Sequence, residues 1–407
     1  MCNKAKSGQP HNHNHSHNHL VRNHDSGRDH PSRRDFFRVL MGGALAGASV
    51  MEFAFHRAAW ARAAAATDEP DLFSIQKVVP GVYFAYARPQ AMVNCNAAIF
   101  VRSKDVVVVD AHSKPSAAAS IIRQIRRQVT EKPVRYVVNT HFHWDHTQGD
   151  HAYKEAGGKV DFIASSTTKR LMEENCEARM KDSVNSVPPQ IEAMRRRAEN
   201  AKSVAEKTFC EEQIRQMQEY LADMKQNYEL VLPTITFDQT YLLSDPDLDL
   251  HLGFHGRSHT AGDTFVYCPQ QLAIATGDAS HGWLPNIGDG YPRQWPGTID
   301  DVSKADFKYI MGGHGPLQSD RTVMTSMRNY IEELTEKVEA GKKAGQGIPE
   351  LQKRLTVASL KSMQSNGYQA FLERTLTADH VHFGPISPLQ DGVNGNIRDV
   401  YNNLDRA

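Results

Sequence analysis

The stretch VVNTHFHWDHTQGD, residues 137–150, decides how the rest of the chain must be organised. It begins in an apolar run and then offers His141, His143, Asp145 and His146 within one short turn. Imidazole and carboxylate groups are ligands that suit a borderline divalent metal such as Zn²⁺. His141 and His143 can point the same way, while Asp145 and His146 face a second position close by. Two metal ions need more ligands than this turn supplies, so the remainder must come from elsewhere in the chain.

Three further candidate ligands stand at the ends of later β-prone runs. They are His259 in GRSHTAGD, Asp278 in ATGDASHG and His314 in MGGHGP. Glycines flank each of them, which lets the backbone turn and approach its neighbours closely. The repeated pattern, a strand followed by a turn with Gly, His or Asp, predicts a layered α/β sandwich with a site along one edge.

The motifs T-H-x-H-x-D-H, H-T-x-G-D, T-G-D and G-G-H-G occur here in an order that resembles the metallo-β-lactamase superfamily, over roughly residues 79–316. The resemblance implies an α/β fold, a four-layer αβ/βα sandwich with a helical insertion and a C-terminal helical extension. It also implies that Asp110, which ends the run VVVVD, orients a ligand histidine. The metal ligands that it implies are His141, His143 and His259 for one ion, Asp145, His146 and His314 for a second, and Asp278 as the bridge between them.

The resemblance further implies a hydrolase in which two Zn²⁺ ions share Asp278 and a bridging hydroxide that acts as the nucleophile. Iron and manganese are the alternative metals. Asp145 would be the catalytic residue that orients the hydroxide and relays its proton. The bond cleaved would be an ester, thioester, lactone, lactam or related bond in a small apolar or aromatic substrate.

Other activities on the same fold are weighed against this one. Authentic zinc β-lactamases carry a cysteine or serine near the second metal where this chain has Asp278, which disfavours a true β-lactamase. A mononuclear iron oxidoreductase similar to the sulfur dioxygenases is harder to exclude, because it keeps a similar motif. A binding protein without catalysis is disfavoured by the complete ligand set. A nuclease is disfavoured because no basic patch and no nucleic-acid-binding domain is apparent.

The stretch HGWLPNIGDGYPRQW, residues 281–295, follows Asp278 closely and is rich in aromatic residues, proline and glycine. We expect it to form a wall of the substrate pocket that favours apolar or aromatic groups. His281, Trp283 and Trp295 are the candidate pocket residues.

The remaining patterns predict the domain organisation. Strand and helix signals alternate across a metallo-β-lactamase-like domain, residues 67–320, with a helix over 116–130 and a strand over 134–140 that delivers the first motif. Residues 166–232 are highly charged with apolar stripes at helical spacing, which predicts an inserted helical hairpin with solvated outer faces. A lid over the site or a contact in a homo-oligomer is the alternative. Residues 321–407 form a C-terminal extension, with helices predicted over 322–341, 350–365 and 396–404.

Residues 1–66 have the character of an export leader. The run SRRDFFR, residues 32–38, precedes an apolar stretch over 39–51 and small residues suited to a signal peptidase, with cleavage expected near Ala63–Thr67. Arg33 and Arg34 resemble the twin-arginine signal, whose export machinery is then a partner. A His-rich tract over 11–30 precedes it and is expected to be disordered. The mature protein would be periplasmic or secreted, with no stable membrane anchor after cleavage.

The charge balance bounds the partners. Lys plus Arg and Asp plus Glu each number 47, so the formal net charge is zero and no global basic field attracts nucleic acid. A small-molecule substrate is therefore expected. The five cysteines show no C-x-x-C spacing, and we expect those beyond the leader to be buried thiols.

Overall fold

The computed structural model describes residues 71–87, 95–156, 159–379 and 387–406. The predicted leader, with its His-rich tract, twin-arginine motif and cleavage region, lies outside the described residues. Among the helices that are described, none combines the length and the apolar character that a membrane span requires.

Seven strands of the described residues form one sheet, in the same order along the sheet as along the chain. Strands β1 to β4 pair antiparallel, and β4 to β7 pair parallel. The strands are β1 (Phe73–Val79), β2 (Val82–Ala87), β3 (Ala97–Val101), β4 (Val106–Val109), β5 (Val134–Val138), β6 (Asp161–Ser165) and β7 (Ile235–Phe237).

A second sheet has five strands in the order β12-β11-β10-β9-β8. The pair β11 and β12 is parallel, and the other pairs are antiparallel. The carboxyl ends of β11 and β12 therefore lie at the same edge. The strands are β8 (Thr240–Leu243), β9 (Leu250–Gly253), β10 (Phe265–Cys268), β11 (Ala273–Gly277) and β12 (Tyr309–Gly312).

The helices occupy the connections and the C-terminal region. They are α1 (Pro115–Gln128), α2 (Trp144–Thr147), α3 (Asp150–Glu155), α4 (Ser166–Glu199), α5 (Val204–Asn227), α6 (Trp295–Val302), α7 (Thr322–Lys343), α8 (Ile348–Arg354), α9 (Lys361–Gln364), α10 (Tyr368–Asp379) and α11 (Pro388–Asn403). Short 3₁₀ turns cover Pro269–Gln271 and Val357–Ser359.

The two sheets pack face to face, and helices cover their outer faces. Phe84, Val107 and Val109 of the first sheet share one buried apolar cluster with Leu252 and Val266 of the second. The opposite face of the first sheet packs against α1, and that of the second packs against α6, α7 and the helices beyond. Burial of each such side chain contributes about 1.5–3 kcal/mol. The predicted four-layer α/β sandwich is confirmed.

Helices α4 and α5 form a hairpin between β6 and β7. Each begins with a serine cap: Ser165 accepts a hydrogen bond from the Thr168 amide, and Ser203 accepts one from Glu206. The apolar stripes of the two helices meet each other and enclose Trp144 of the first metal motif. The hairpin therefore packs against the segment that carries the first histidine motif.

The C-terminal region is helical, but its division differs from the prediction. Helix α7 presents Tyr330, Ile331, Leu334 and Val338 to the core, as the apolar spacing predicted. The helical stretch predicted near 350–365 is divided into α8, a 3₁₀ turn and α9, because α8 ends at its C-cap Leu355 and Thr356 begins the next turn. Helix α10 was not predicted.

Candidate metal centre

The first histidine motif leaves β5 as an extended segment and then enters the single helical turn α2. The extended backbone at His143 places its ring beside that of His141, and the turn carries Asp145 and His146. His143 Nδ1 lies 3.1 Å from His141 Nε2 and 2.8 Å from His259 Nε2. Three imidazole nitrogens from two distant segments therefore converge on one point.

A second group forms beside the first. Asp145 Oδ2 lies 3.6 Å from His146 Nε2 and 3.5 Å from His314 Nε2. His314 reaches this position because it follows β12, whose carboxyl end faces the motif. One ligand atom from each of these three residues falls in a single cluster of a size that holds an ion.

Asp278 stands between the two groups. It follows β11 directly, and its Oδ2 lies 3.0 Å from His314 Nε2 and 3.6 Å from His259 Nε2. The same oxygen is 4.0 Å from His141 Nε2, and Oδ1 is 3.5 Å from His146 Nε2. One carboxylate thus faces both groups, and the structure brings all seven predicted ligands together.

Hydrogen bonds on the far side of four rings orient them toward this centre. In each case the outer nitrogen faces an oxygen that accepts its proton, so the inner nitrogen is the one that can bind a metal. The oxygens are Thr140 Oγ1 for His141 (3.0 Å), Asp289 Oδ2 for His143 (2.9 Å), Asp110 Oδ2 for His146 (2.9 Å) and the Asn286 carbonyl for His259 (2.9 Å).

Burial and charge divide the rings electrostatically. Burial lowers the pKa of His141 well below its ordinary value and that of His143 to about 4, so these rings are neutral. Burial also acts on His146 and His314, but the acidic groups around them outweigh it and raise their pKa. The pKa of Asp278 is held well below its ordinary value by His314 and His146, although burial opposes this. The second group attracts positive charge.

The residues fit divalent cations. His146 Nε2 and Asp278 Oδ1 are buried without a hydrogen-bond partner, and both face the centre. Ligand nitrogens about 2.0–2.1 Å from a tetrahedral zinc ion lie roughly 3.3 Å apart. The spacings of 2.8 and 3.1 Å within the first group are close to this value. Buried polar atoms without partners are costly unless such an ion satisfies them.

Comparison with known proteins identifies the family. The family model described as "Metallo-beta-lactamase superfamily" matches residues 92–314, more than half of the 407-residue chain. The chain belongs to the metallo-β-lactamase superfamily. It is therefore a metal-dependent hydrolase, and the matched region contains every predicted metal ligand.

The chain is similar to several solved structures at low sequence identity, and one of them has a TM-score above 0.5. The stereoselective inverting sec-alkylsulfatase Pisa1 from Pseudomonas sp. is 16% identical with a TM-score of 0.56, and the match covers 81% of this chain and 50% of that one. A metallo-β-lactamase from Pontibacter korlensis is 17% identical with a TM-score of 0.46, covering 64% of this chain and 99% of that one. The metallo-β-lactamase FIM-1 from Pseudomonas aeruginosa is also 17% identical with a TM-score of 0.46, and the match covers 64% of this chain and 95% of that one.

In this superfamily member, Asp110 lies behind the second group. Its carboxylate accepts hydrogen bonds from the Thr140 amide at 2.8 Å and hydroxyl at 2.9 Å, in addition to the bond from His146. Strand β4 ends at Val109, and both Asp110 and His112 have a left-handed φ of 71°. This turn directs the Asp110 carboxylate toward the ligand histidine.

Three residues around the centre were missed by the sequence analysis. Cys95 Sγ lies 3.4 Å from His146 Nδ1, and burial raises the pKa of its thiol. Asp289 accepts a hydrogen bond from His143, and Arg179 of α4 donates from Nη1 to Asp289 Oδ2 at 2.7 Å. Asp289 did lie in the predicted pocket stretch between two glycines, but nothing in the local pattern indicates Cys95 or Arg179.

Two glycines allow the close packing of the centre. A Cβ on Gly313 would lie 2.3 Å from Asp278 Oδ1 and 2.8 Å from His146 Cε1. Gly277 has a left-handed φ of 50°, and a Cβ there would lie 2.4 Å from Thr140 Oγ1. Only a residue without a side chain lets these backbone segments approach the ligands so closely.

The predicted pocket residues differ in position. The Trp283 ring stacks on His314, with centroids 4.7 Å apart, and is 8% exposed. His281 is buried beside His314, accepts a bond from the Trp283 amide, and has its pKa lowered to about 3 by burial. Trp295 has no exposed surface and donates to the Ala279 carbonyl. Trp295 therefore packs beneath His259 as core, and its predicted place in the pocket wall is not observed.

Proposed function

We propose that this protein is a hydrolase with two zinc ions, one held by the first group and one by the second. The observation that carries the proposal is the position of Asp278, whose oxygens face ligand nitrogens of both groups at 3.0–4.0 Å. A single-ion site would not require a second complete set of donors on the other side of one carboxylate.

The residues have distinct roles in this proposal. Two bound divalent cations would supply a water molecule activated at neutral pH and would polarise a substrate oxygen. Asp145 would orient that water and accept its proton. Asp110 and Asp289 hold the rings of His146 and His143 in the orientation that ligation requires.

The substrate class follows from the centre and its border. A carboxylate at position 278, in place of a cysteine or serine, favours cleavage of esters, thioesters or lactones over authentic β-lactamase activity. The Trp283 ring at the edge of the second group favours an apolar or aromatic substrate. A sulfate ester is a further candidate, because the alkylsulfatase from Pseudomonas sp. shares the fold.

Metal analysis followed by a substrate screen tests the function. We expect about two zinc ions per chain and hydrolysis of at least one ester, thioester, lactone, lactam or sulfate ester. Asp145→Ala and His259→Ala should lose turnover, while His255→Ala, outside the centre and paired with Asp301, should keep it. One iron per chain with oxygen uptake and no hydrolysis would replace this proposal with the iron oxidoreductase.

We also propose export by the twin-arginine route, supported by the run SRRDFFR. Residues 1–66 fused to a reporter should carry it out of the cytoplasm. Replacing Arg33 and Arg34 by lysine should abolish that export, whereas replacing Arg22 and Arg28, ahead of the motif, should not. Retention of the unchanged fusion in the cytoplasm would refute the proposal.

A further inference from the structure

Asp289 links the metal centre to the parts of the chain outside the two-sheet core. Its Oδ2 accepts the Nε2 proton of His143 at 2.9 Å, on the opposite side of the ring from the nitrogen that faces the first group. A carboxylate accepts but does not donate in its ionised form, so this bond fixes which His143 nitrogen can bind a metal.

The helical insertion holds this carboxylate from one side. Arg179 of α4 donates from Nη1 to Oδ2 at 2.7 Å and from Nη2 to Oδ1 at 3.2 Å. Both side chains are largely buried, and the guanidinium also lies over the Phe142 ring at 4.7 Å. A two-point bond of this kind fixes direction as well as charge.

The C-terminal extension contacts the same carboxylate and the loop that carries it. Arg406 Nη2 lies 3.7 Å from Asp289 Oδ1. The Asn403 side chain donates to the carbonyls of Ile287 and Gly288, at 2.8 and 3.0 Å. The end of α11 and the residues after it therefore secure the loop that carries Asp289.

We propose that Asp289 is a positioning residue for His143, and that the insertion and the extension set the metal affinity of the first group through Arg179 and Arg406. This inference rests on the proposed function, since it requires an ion bound by the first group. It gives the hairpin a role in building the site.

Zinc competition with a chromophoric chelator tests the inference on the whole mature protein. Asp289→Ala should lower the affinity for one of the two zinc ions by about 10–100-fold and leave the affinity for the other unchanged. Asp289→Asn, which keeps the shape and an acceptor oxygen, should recover part of that loss. Arg179→Gln should lower the affinity for the same ion by about tenfold. Arg170→Gln is the matched control on α4, since Arg170 is exposed and pairs only with Glu174 among the described residues.

The outcomes separate this inference from the proposed function. Two ions bound with unchanged affinity in Asp289→Ala and Arg179→Gln would overturn the inference alone. The inference would also be overturned if the affinity for both ions fell equally and the metal-stripped variants melted at a lower temperature. The effect would then be a general loss of stability. A wild-type protein that binds no ion would overturn both proposals.

Discussion

At the scale of single residues, the centre depends on strained and closely packed positions. Asp110 keeps a left-handed backbone, which costs about 1–3 kcal/mol in residues with a side chain, yet its carboxylate meets three donors. The site tolerates this strain because each of those bonds holds part of the metal motif. Ligand orientation is thus stabilised at the expense of the local backbone.

Gly313 is expected to be irreplaceable for metal binding. The Cβ of Gly313→Ala would meet Asp278 Oδ1 at 2.3 Å, so the Asp278 carboxylate or the loop that carries Gly313 must move. We expect zinc affinity to fall by at least about tenfold, as for other disturbed ligand supports. Gly297→Ala is the control: it lies in α6 with nothing within 4 Å of the new Cβ and should stabilise the fold by up to about 1 kcal/mol. Equal zinc titrations for the two variants would contradict this.

The two tryptophans are expected to give opposite phenotypes. Trp295→Ala removes a side chain with no exposed surface and should lower the free energy of unfolding by about 3–5 kcal/mol. Trp283→Ala removes a ring that borders His314 and should mainly raise KM for apolar substrates. Urea denaturation and steady-state kinetics on both variants check the contrast. A large stability loss for Trp283→Ala with unchanged KM would show that this ring is also core.

At the scale of elements, a side chain of one helix often ends or begins another. Glu333 of α7 accepts hydrogen bonds from the Lys361 and Ser362 amides, at 2.9 and 2.7 Å, and so caps the first turn of α9. It also pairs with Lys337. This contact fastens the broken helical segment of the extension to the core helix.

The Glu333 cap predicts a pH-dependent stability. Burial opposes ionisation, but the pairing with Lys337 and the bonds to Ser362 and Lys361 lower its pKa from 4.5 to about 2. A lowered carboxyl pKa adds stability that is complete above 4.5 and is lost as the pH falls toward 2. Glu333→Gln should therefore be less stable by about 1–3 kcal/mol at pH 7, with a difference that narrows toward pH 3. Denaturant midpoints at both pH values measure this, and a constant difference would contradict it.

The sequence allowed the ligand-bearing elements to be predicted, because each combines a short apolar run with a Gly, His or Asp turn. It did not indicate the contacts among distant elements. Arg179 reads locally as one more charge on a solvated helix, and Cys95 as one more buried thiol. Their proximity to the centre arises from how the hairpin and the sheets pack, which no local spacing encodes.

Some locally convincing patterns were outweighed by packing. Trp295 stood in an aromatic stretch near Asp278, but the first turn of α6 carries it into the core behind His259. The helix predicted over 350–365 breaks because polar caps at Thr356 and Glu333 compete with continued helix. The four cysteines within the described residues are buried thiols, as predicted.

At the scale of the whole molecule, the centre joins the two sheets. Its candidate ligands follow β5 of the first sheet and β9, β11 and β12 of the second, so ions held there would add cross-links between the halves of the sandwich. An ion present at about a thousand times its Kd adds about 4 kcal/mol to the folded state. Metal binding and the integrity of the sandwich are therefore linked.

Removal of both proposed ions, worth about 8 kcal/mol together, is expected to lower the melting temperature of the holoprotein by roughly 10 °C, since each kcal/mol moves it by about 1–2 °C in a chain of this size. Thermal melts with excess zinc and with a strong chelator measure the shift. His259→Gln should reduce the shift in melting temperature. His255→Gln should leave the shift unchanged, because His255 is exposed and paired with Asp301. Identical melts of wild type with and without the chelator would contradict the expectation.

The spread of the ligands from His141 to His314 also bears on when an ion can be captured. The ribosome synthesises a polypeptide from its N-terminus to its C-terminus, so His141, His143 and His146 are made long before Asp278 and His314. Before β11 has been synthesised those imidazoles lack Asp278, and until β12 has been synthesised and docked they also lack His314. In the proposed dinuclear site, complete ion loading would therefore follow translation of most of the chain, as a late step of maturation.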